Sequence, residues 1–366
     1  MLNINLFRGM GFSSVLLKWY HNNKRDLPWR RTDNPYLIWI SEVILQQTRV
    51  EQGKAYYHRF TERFPDIESL ATAEEDEVMK IWQGLGYYTR ARNLIHAAQT
   101  LYRDHNSQFP ETYQEIAKLK GVGDYSASAI SSIAFGEVRP VIDGNVIRVV
   151  SRFEGIDDPV NSMGCKRKIR VFLDKNICND DPGTFNQAVM ELGALVCKPK
   201  SPDCQKCPLL QSCFAFNNGM IGKLPVKTKV KLQENRYLNY LIMITFLNNE
   251  PHFWIRKRNE ADIWKNLYDF PLIETGYYYS LDELKASEKW ELVLSNCQYK
   301  VGKVIEEAPY KLTHQQLLVR FLMIRSDDFS LPDYINVNFK DLHKYPVSRM
   351  IENILKKIEF RPGIFF

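Results

Sequence analysis

No uninterrupted apolar run in these 366 residues approaches the roughly 20 residues that span a bilayer, so no transmembrane segment is expected. The N-terminus, MLNINLFRGMGFSS, lacks a basic flank followed by a long apolar stretch, and no secretory signal is read there. Internal repeats and low-complexity tracts are missing as well. These absences set the expectation of a cytoplasmic, monomeric globular protein with no membrane contact, nucleoid-associated if the source is bacterial. The hydrophobic share of 45% suffices for ordinary packed cores. Acidic residues are outnumbered, 43 against 49 basic ones, for a net charge of +6. That surplus suits a polyanionic partner without demanding one.

The cysteines cannot form a complete disulfide framework, because there are seven. Cys165, Cys178 and Cys297 are scattered, whereas Cys197, Cys204, Cys207 and Cys213 are crowded into one short stretch. Four thiolates so placed can close around one zinc ion or ligate one [4Fe–4S] cluster. Structural zinc usually shows two Cys-x2-Cys pairs and only one is present, which favours the cluster. Four unconnected buried thiols are the plainer reading, and this density disfavours it. Lys198, Lys200 and Lys206 lie between the ligands, on a loop that is either merely solvated or turned toward an anion.

Up to about residue 216 the apolar spacing is helical, as in Val78, Ile81, Trp82 and Leu85. Residues 217–234 are polar and basic with two Gly and one Pro, and read as an interdomain linker. From 235 to 360 the pattern is α+β. Two β-rich runs flank the turn signal Asn248-Asn249-Glu250-Pro251. Another strand-like run spans Leu317 to Arg325, and helices are expected near Leu281–Leu284 and Ser348–Lys357. Residues 361–366 are a tail.

Leu119-Lys120-Gly121-Val122-Gly123-Asp124-Tyr125 stands between two helical segments. Gly121 and Gly123 permit a tight turn that leaves backbone N–H groups at a helix N-terminus open to an anion. A DNA phosphate fits such a place, since these contacts position a protein without reading sequence. Asp143-Gly144-Asn145 precedes VIRVV. Asp143 can cap that helix, or its carboxylate can stabilise a developing positive charge; the two roles are compatible. Asn145 can hold that carboxylate or a sugar–phosphate oxygen. Asn34-Pro35 reads as a helix start, and YLIWISEVILQQT is expected to continue as helix. Glu42 has Ile38, Trp39 and Leu45 on its face. Desolvation there raises a carboxyl pKa and keeps the proton available to a leaving group near neutral pH. The plainer fate of Glu42 is to snorkel outward or pair with an Arg.

Ser41-Glu42-Val43-Ile44-Leu45-Gln46-Gln47-Thr48 resembles the corresponding segment of adenine DNA glycosylases of the helix-hairpin-helix superfamily. Arg25-Asp26-Leu27-Pro28-Trp29-Arg30, Gly84-Leu85-Gly86-Tyr87-Tyr88 and Met190-Glu191-Leu192-Gly193 match as well, so the likeness covers nearly all of residues 19–216. The glycine hairpin, the aspartate segment and the four-cysteine loop follow in family order, and the cysteine spacing resembles that of endonuclease III-like glycosylases. The resemblance implies a helical barrel plus an iron–sulfur helical domain within residues 1–216, with the cluster loop at 197–213 and its lysines near DNA. It implies Glu42 as the acid that protonates adenine at N7, Asp143 as support for the sugar cation, and Tyr125 near the sugar. Bifunctional relatives have lysine at the Tyr125 position, where its amine attacks the sugar. Its replacement implies hydrolysis with the DNA backbone left intact.

Chemistry at the sugar requires a flipped base. By the same resemblance Gln47 and Tyr87 insert around the base left behind, and Arg25, Leu27, Trp29, Arg30, Leu45 and Glu191 line the adenine pocket. Core packing for Leu27 and Trp29, and phosphate contact for Arg25 and Arg30, are the competing readings. Phe253 to Arg258 and Ile263 to Pro271 resemble the Nudix-like C-terminal domain of the same family. The Glu-rich helix that holds magnesium in working Nudix hydrolases is missing from YYYSLDELKASEKWEL, which disfavours pyrophosphate hydrolysis. Leu312-Thr313-His314 aligns with the family's 8-oxoguanine loop, with Leu312 where the family has an aromatic residue; an ordinary strand start explains Thr313 and His314 equally well.

The expectation is therefore a monofunctional glycosylase carrying one [4Fe–4S] cluster and releasing adenine opposite 8-oxoguanine or guanine in duplex DNA. Two alternatives stand beside it: a thymine or oxidised-pyrimidine glycosylase of the same superfamily, and a non-catalytic DNA-binding iron–sulfur protein.

Overall fold

The computed structural model describes residues 11–228, 233–260, 262–294, 297–329 and 331–358. The residue 361–366 tail and the first ten residues lie outside them. Among the described residues no helix is long and apolar enough to cross a membrane. The chain forms two compact units, Met1–Thr72 with Asn93–Lys229 and Ala73–Arg92 with Val230–Phe366.

The first unit is helical. Its elements are α1 (Phe12–Asn23), α2 (Pro35–Leu45), α3 (Val50–Arg63) and α4 (Ile67–Ala71), then, beyond α5, most of α6 (Thr89–Asp104). There follow α7 (Tyr113–Ile116), α8 (Asp124–Phe135), α9 (Gly144–Glu154), α10 (Met163–Asn176), α11 (Pro182–Leu195) and α12 (Phe214–Asn217). The intervening α5 (Glu75–Trp82) belongs to the second unit. One core joins Leu16 and Trp19 of α1, Val149 and Val150 of α9, Ile169 of α10, and Phe185, Ala188 and Leu192 of α11.

Helix α2 starts where the sequence says it should. The Asn34 side chain accepts from the N–H groups of Tyr36 and Leu37, with Pro35 in the first turn. It stops at Leu45, not at Thr48. Gln46 leaves the helical region and Gln47 turns to φ +55°. A non-glycine residue held in that region is costly, and such positions cluster at functional sites.

The second unit is a mixed sheet with helices on both faces. Its strands are β1 (Glu234–Leu247), β2 (Glu250–Lys257), β3 (Tyr268–Asp269), β4 (Leu272–Thr275), β5 (Lys300–Glu306), β6 (Tyr310–Lys311), β7 (Gln315–Arg325) and β8 (Ile335–Asn338). The spine runs β3-β2-β1-β7-β5, with β1 and β7 parallel from Glu234↔Gln315 to Ile244↔Arg325. Leu238, Tyr240, Ile242 and Ile244 pack on α15 (Arg349–Lys357) through Met350, Ile351 and Ile354. Leu241 and Met243 point the other way, onto α13 (Leu281–Lys285) and α14 (Glu288–Leu294) through Leu284, Trp290 and Leu294. Burial on both faces explains why β1 and β7 read as unbroken apolar runs. The hairpin loop is Asn248-Asn249 alone, both at positive φ, while Glu250 and Pro251 already pair with β1.

Two boundaries differ from expectation. The first half of the 217–234 linker is packed against the first unit: Leu224 is buried, its carbonyl accepts from Arg152 Nε at 2.9 Å, and Val226 O accepts from Val160 N at 3.0 Å. In addition, Ala73–Arg92, which lies inside the expected 1–216 region, joins the C-terminal unit. Its acidic first turn and its glycine loop are held there by side-chain bonds that periodicity alone does not reveal.

Candidate active site

Five segments of the first unit converge on a cavity of about 210 Å³. Its lining includes Arg25, Leu27, Trp29, Arg30, Glu42, Leu45, Tyr125, Asp143, Asn145 and Glu191, all named from the sequence. Thr48, Gln187 and Met190 line it too and were not singled out. Gln187 and Met190 sit four and one residues before Glu191 on α11, a helical spacing that would have pointed to Gln187.

Glu42 lies in the middle of α2, 7% exposed. Burial pushes its carboxyl up to about 7; a hydrogen bond with Tyr125 opposes this, and the charge of Asp143 reinforces it. The Tyr125 hydroxyl has one proton and two acceptors within reach, the Glu42 carboxylate and Met190 Sδ at 3.6 Å. An ionised carboxylate is the stronger acceptor. Protonation of Glu42 weakens that claim and leaves the hydroxyl to sulfur. Burial also raises the Tyr125 phenol well above its ordinary value, so it stays neutral throughout the working range.

Asp143 caps its helix as the sequence suggests. Its Oδ1 caps α9 by accepting from Val146 N at 2.7 Å, and its Oδ2 accepts from Asn145 Nδ2 at 2.8 Å. Burial raises its pKa, while the Val146 and Asn145 donors pull it down. Asn145 is held in turn by Arg148, whose Nη2 donates to Asn145 Oδ1 and to Gly193 O, both at 2.8 Å, and whose Nε donates to Cys197 O at 2.6 Å. Arg148 was missed in the sequence, although it lies three residues beyond Asn145 on one helical face.

Glu191 is 1% exposed and fully engaged. Arg25 and Arg30 each grip it with two bonds of 2.6–2.9 Å, and Arg25 N adds a fifth bond at 2.9 Å. Burial alone would raise this carboxyl, but the Arg30 and Arg25 donors bring it down to about 2. Arg25, Arg30 and Glu191 thus stand at the cavity wall already joined as an ion pair, with Glu191 at its buried end. Leu27 and Trp29 are both buried and cavity-lining, so their two readings coincide.

Gln47 is exposed and outside the cavity lining. Tyr87, Thr313 and His314 belong to the second unit. There Tyr87, 49% exposed at φ +50°, has its hydroxyl 2.8 Å from Thr313 Oγ1. Leu312 turns into the sheet core, and its N–H closes a tight turn on Gln315 O at 2.8 Å. That leaves Thr313 and His314 exposed at the turn.

In the glycine hairpin α7 is a single turn that continues as irregular turns to Gly121. Gly121 has φ +81°, and a Cβ there would meet Asn93 Cβ at 2.5 Å. Gly123 caps the N-terminus of α8 with open space around it.

Cys197, Cys204, Cys207 and Cys213 line one cavity of about 30 Å³. Backbone N–H groups of Leu209, and of Ala215 and Phe216, bond to Cys207 and Cys213, and Arg152 Nη1 lies 3.4 Å from Cys197 Sγ. Donors so arranged suit thiolates. Lys198, Lys200 and Lys206 are exposed, with Lys206 paired to Asp203.

The sequence pattern of the HhH-GPD superfamily of base excision DNA repair proteins matches residues 40–173. The adenine DNA glycosylase of Buchnera aphidicola subsp. Schizaphis graminum is 32% identical over 351 residues, 94% of this chain and 98% of that one. The chain belongs to the adenine DNA glycosylase family. It is accordingly a base-excision enzyme of the class that hydrolyses N-glycosyl bonds. The adenine DNA glycosylase of Schizosaccharomyces pombe is 35% identical over 321 residues, 72% of this chain and 70% of that one. A thermostable thymine-DNA glycosylase shares the fold over 57% of this chain and 95% of its own, with TM-score 0.53 and 27% identity. That overlap accords with a helix-hairpin-helix glycosylase fold followed by a separate α+β domain.

Proposed function

We propose that this family member releases adenine from duplex DNA where it stands opposite 8-oxoguanine or guanine, by hydrolysis and without strand cleavage. The carrying observation is a buried Glu42, its carboxyl pushed up to about 7 by burial, in one cavity with an Asp143 that caps its helix and is hydrogen-bonded by Asn145. Glu42 gives its proton to N7 of the flipped base. The C1′–N9 bond then breaks with its electron pair going to adenine. The Asp143 carboxylate, held by Asn145, shelters the cationic sugar. Water adds at C1′ and returns a proton to Glu42. Tyr125, kept as a neutral phenol, presents no amine for a Schiff base, in keeping with an intact backbone.

Glu191 acts by locking the Arg25–Arg30 wall rather than by touching the base. Gly121 and Gly123 meet the DNA phosphate. Gln47 fills the gap left by the base from the first unit, and Tyr87 with Thr313 and His314 reads the opposite base from the second.

The four cysteines fit one [4Fe–4S] cluster. All four thiols line one cavity, with backbone N–H groups and Arg152 donating toward them, and four thiolates so served are a donor set that such a cluster takes. Bound there, the cluster would tie the loop of residues 197–213 together.

The test is single-turnover base release from an adenine:8-oxoguanine duplex. Glu42→Gln should abolish release while leaving duplex binding within about threefold, because the acid and not the cavity shape is removed. Normal turnover by that variant, or release of thymine but not adenine by the parent protein, overturns the reading.

A further inference from the structure

Tyr87 stands on a loop with an unusual backbone. Gly84, Gly86 and Tyr87 have φ of +89°, +79° and +50°. The two glycines adopt this region freely, but a tyrosine persists there only where its surroundings impose it. Locally, Gly86 O accepts from Trp82 Nε1 at 3.1 Å and from Arg90 Nη2 at 3.0 Å. Further restraint comes from chain more than 170 residues away, inside the same unit.

At the start of α5, Asp76 accepts from Lys257 Nζ at 2.6 Å on one oxygen and from Tyr268 Oη at 3.0 Å on the other. Glu75 Oε1 accepts from Asn266 Nδ2 at 2.5 Å. At its end, Gln83 Oε1 accepts from Val347 N at 3.1 Å, and Lys80 Nζ donates to Tyr345 O at 3.0 Å. Past the loop, Arg92 Nη1 donates to Lys265 O at 2.7 Å. The two anchoring stretches are themselves joined. Tyr268 bridges Val347, its N–H donates to Pro346 O at 2.8 Å, and its ring packs on Tyr345 with centroids 4.9 Å apart. Lys257 and Tyr268 are directly paired across β2 and β3, so both reach Asp76 from one rigid ladder.

We propose that Asp76, Lys257 and Tyr268 form a clasp through which the C-terminal sheet sets the position of Tyr87 against Thr313. They are positioning residues for discrimination of the base opposite adenine. The inference rests on the proposed reading of Tyr87 and Thr313 as the opposite-base contact. An exposed ion pair usually contributes little. Here Asp76 is half-buried and takes donors on both oxygens, so removing Lys257 leaves it only the Tyr268 bond and loosens the helix that leads into the loop.

Two measurements on the full chain test this. Lys257→Met and Asp76→Asn should each speed amide hydrogen exchange at residues 84–88, while thermal melting stays close to the parent. In single-turnover assays the rate preference for adenine:8-oxoguanine over adenine:guanine should fall about fivefold, roughly what loss of one partly buried charged contact produces. The charge-exchanged pair Asp76→Lys with Lys257→Asp should recover part of both effects, which a merely structural role for either residue would not. Unchanged exchange at 84–88 overturns the clasp. Faster exchange with an unchanged preference overturns its role in discrimination. A parent protein that releases no adenine from either duplex would instead sink the functional reading, and the exchange measurement would still judge the clasp.

Discussion

At the residue scale, function and stability pull two carboxylates in opposite directions within one cavity. Glu42 is pushed up to about 7 by burial, and Glu191 is pulled down to about 2 by two arginines. Release that needs a protonated Glu42 should hold below about pH 7 and fall roughly tenfold per pH unit above it. At the acid end it should fall again as Asp143, itself raised by burial, takes up a proton. A single-turnover pH profile with no loss between pH 7 and 9 would count against Glu42 as the acid. For stability the signs differ. The folded state holds the Glu42 proton more tightly than the unfolded chain, so this group's contribution declines as pH rises from about 4.5 toward 7. Glu191 stabilises above its unfolded value, and that contribution is lost as pH falls from about 4.5 toward 2. Glu191→Gln leaves two guanidinium groups facing a neutral amide; a loss on the order of 3 kcal/mol is expected in denaturant unfolding.

At the element scale, the glycine hairpin separates two demands that its sequence merges. Gly121 is required by its left-handed backbone and by Asn93 beside it, whereas Gly123 is sterically free. Gly121→Ala should therefore cost about 2 kcal/mol of stability, from strain and from displacing Asn93. Gly123→Ala should leave stability unchanged. If α8 receives a phosphate, Gly123→Ala should still weaken duplex binding in a fluorescence titration, because a methyl group intrudes where the anion approaches. The end of α2 carries a similar message. QQT continues the helical pattern, yet Gln47 adopts φ +55°. What periodicity reads as one more turn is a break that sets Gln47 apart from the buried Glu42.

At the scale of the whole molecule, the cysteine loop is stitched to the catalytic segment and to the chain that follows it. Arg148 joins Asn145 to Cys197 O, and Arg152 joins Cys197 Sγ, Lys198 O and Pro199 O to Leu224 O. Cluster removal should therefore destabilise the first unit selectively. Calorimetry of chelator-treated protein should show one unfolding transition lowered by several degrees and the other unmoved, as metal binding to the native state alone requires. Equal shifts, or none, would speak against an iron–sulfur centre held by these four residues.

Much of this was legible from the chain. Asn34-Pro35, Asp143 before VIRVV, and Ser348 before α15 are local signals, and each cap forms where it is written. Apolar neighbours around Glu42 foretold its raised pKa, because a helix fixes which residues share a face. The sequence by itself thus determined the helical character of the first unit, the β1–β2 hairpin, the family and most of the named cavity residues. Tertiary structure alone decided what those residues spend their bonds on. It joined Glu191, Arg25 and Arg30, all at the cavity wall, in one ion pair. It moved Ala73–Arg92 into the C-terminal unit, and it made Arg148 the support of Asn145. The physical reason is range: capping and periodicity act within a few residues, whereas a carboxylate in the core takes whichever donors the fold brings to it, and no spacing rule records partners 166 or 181 positions away.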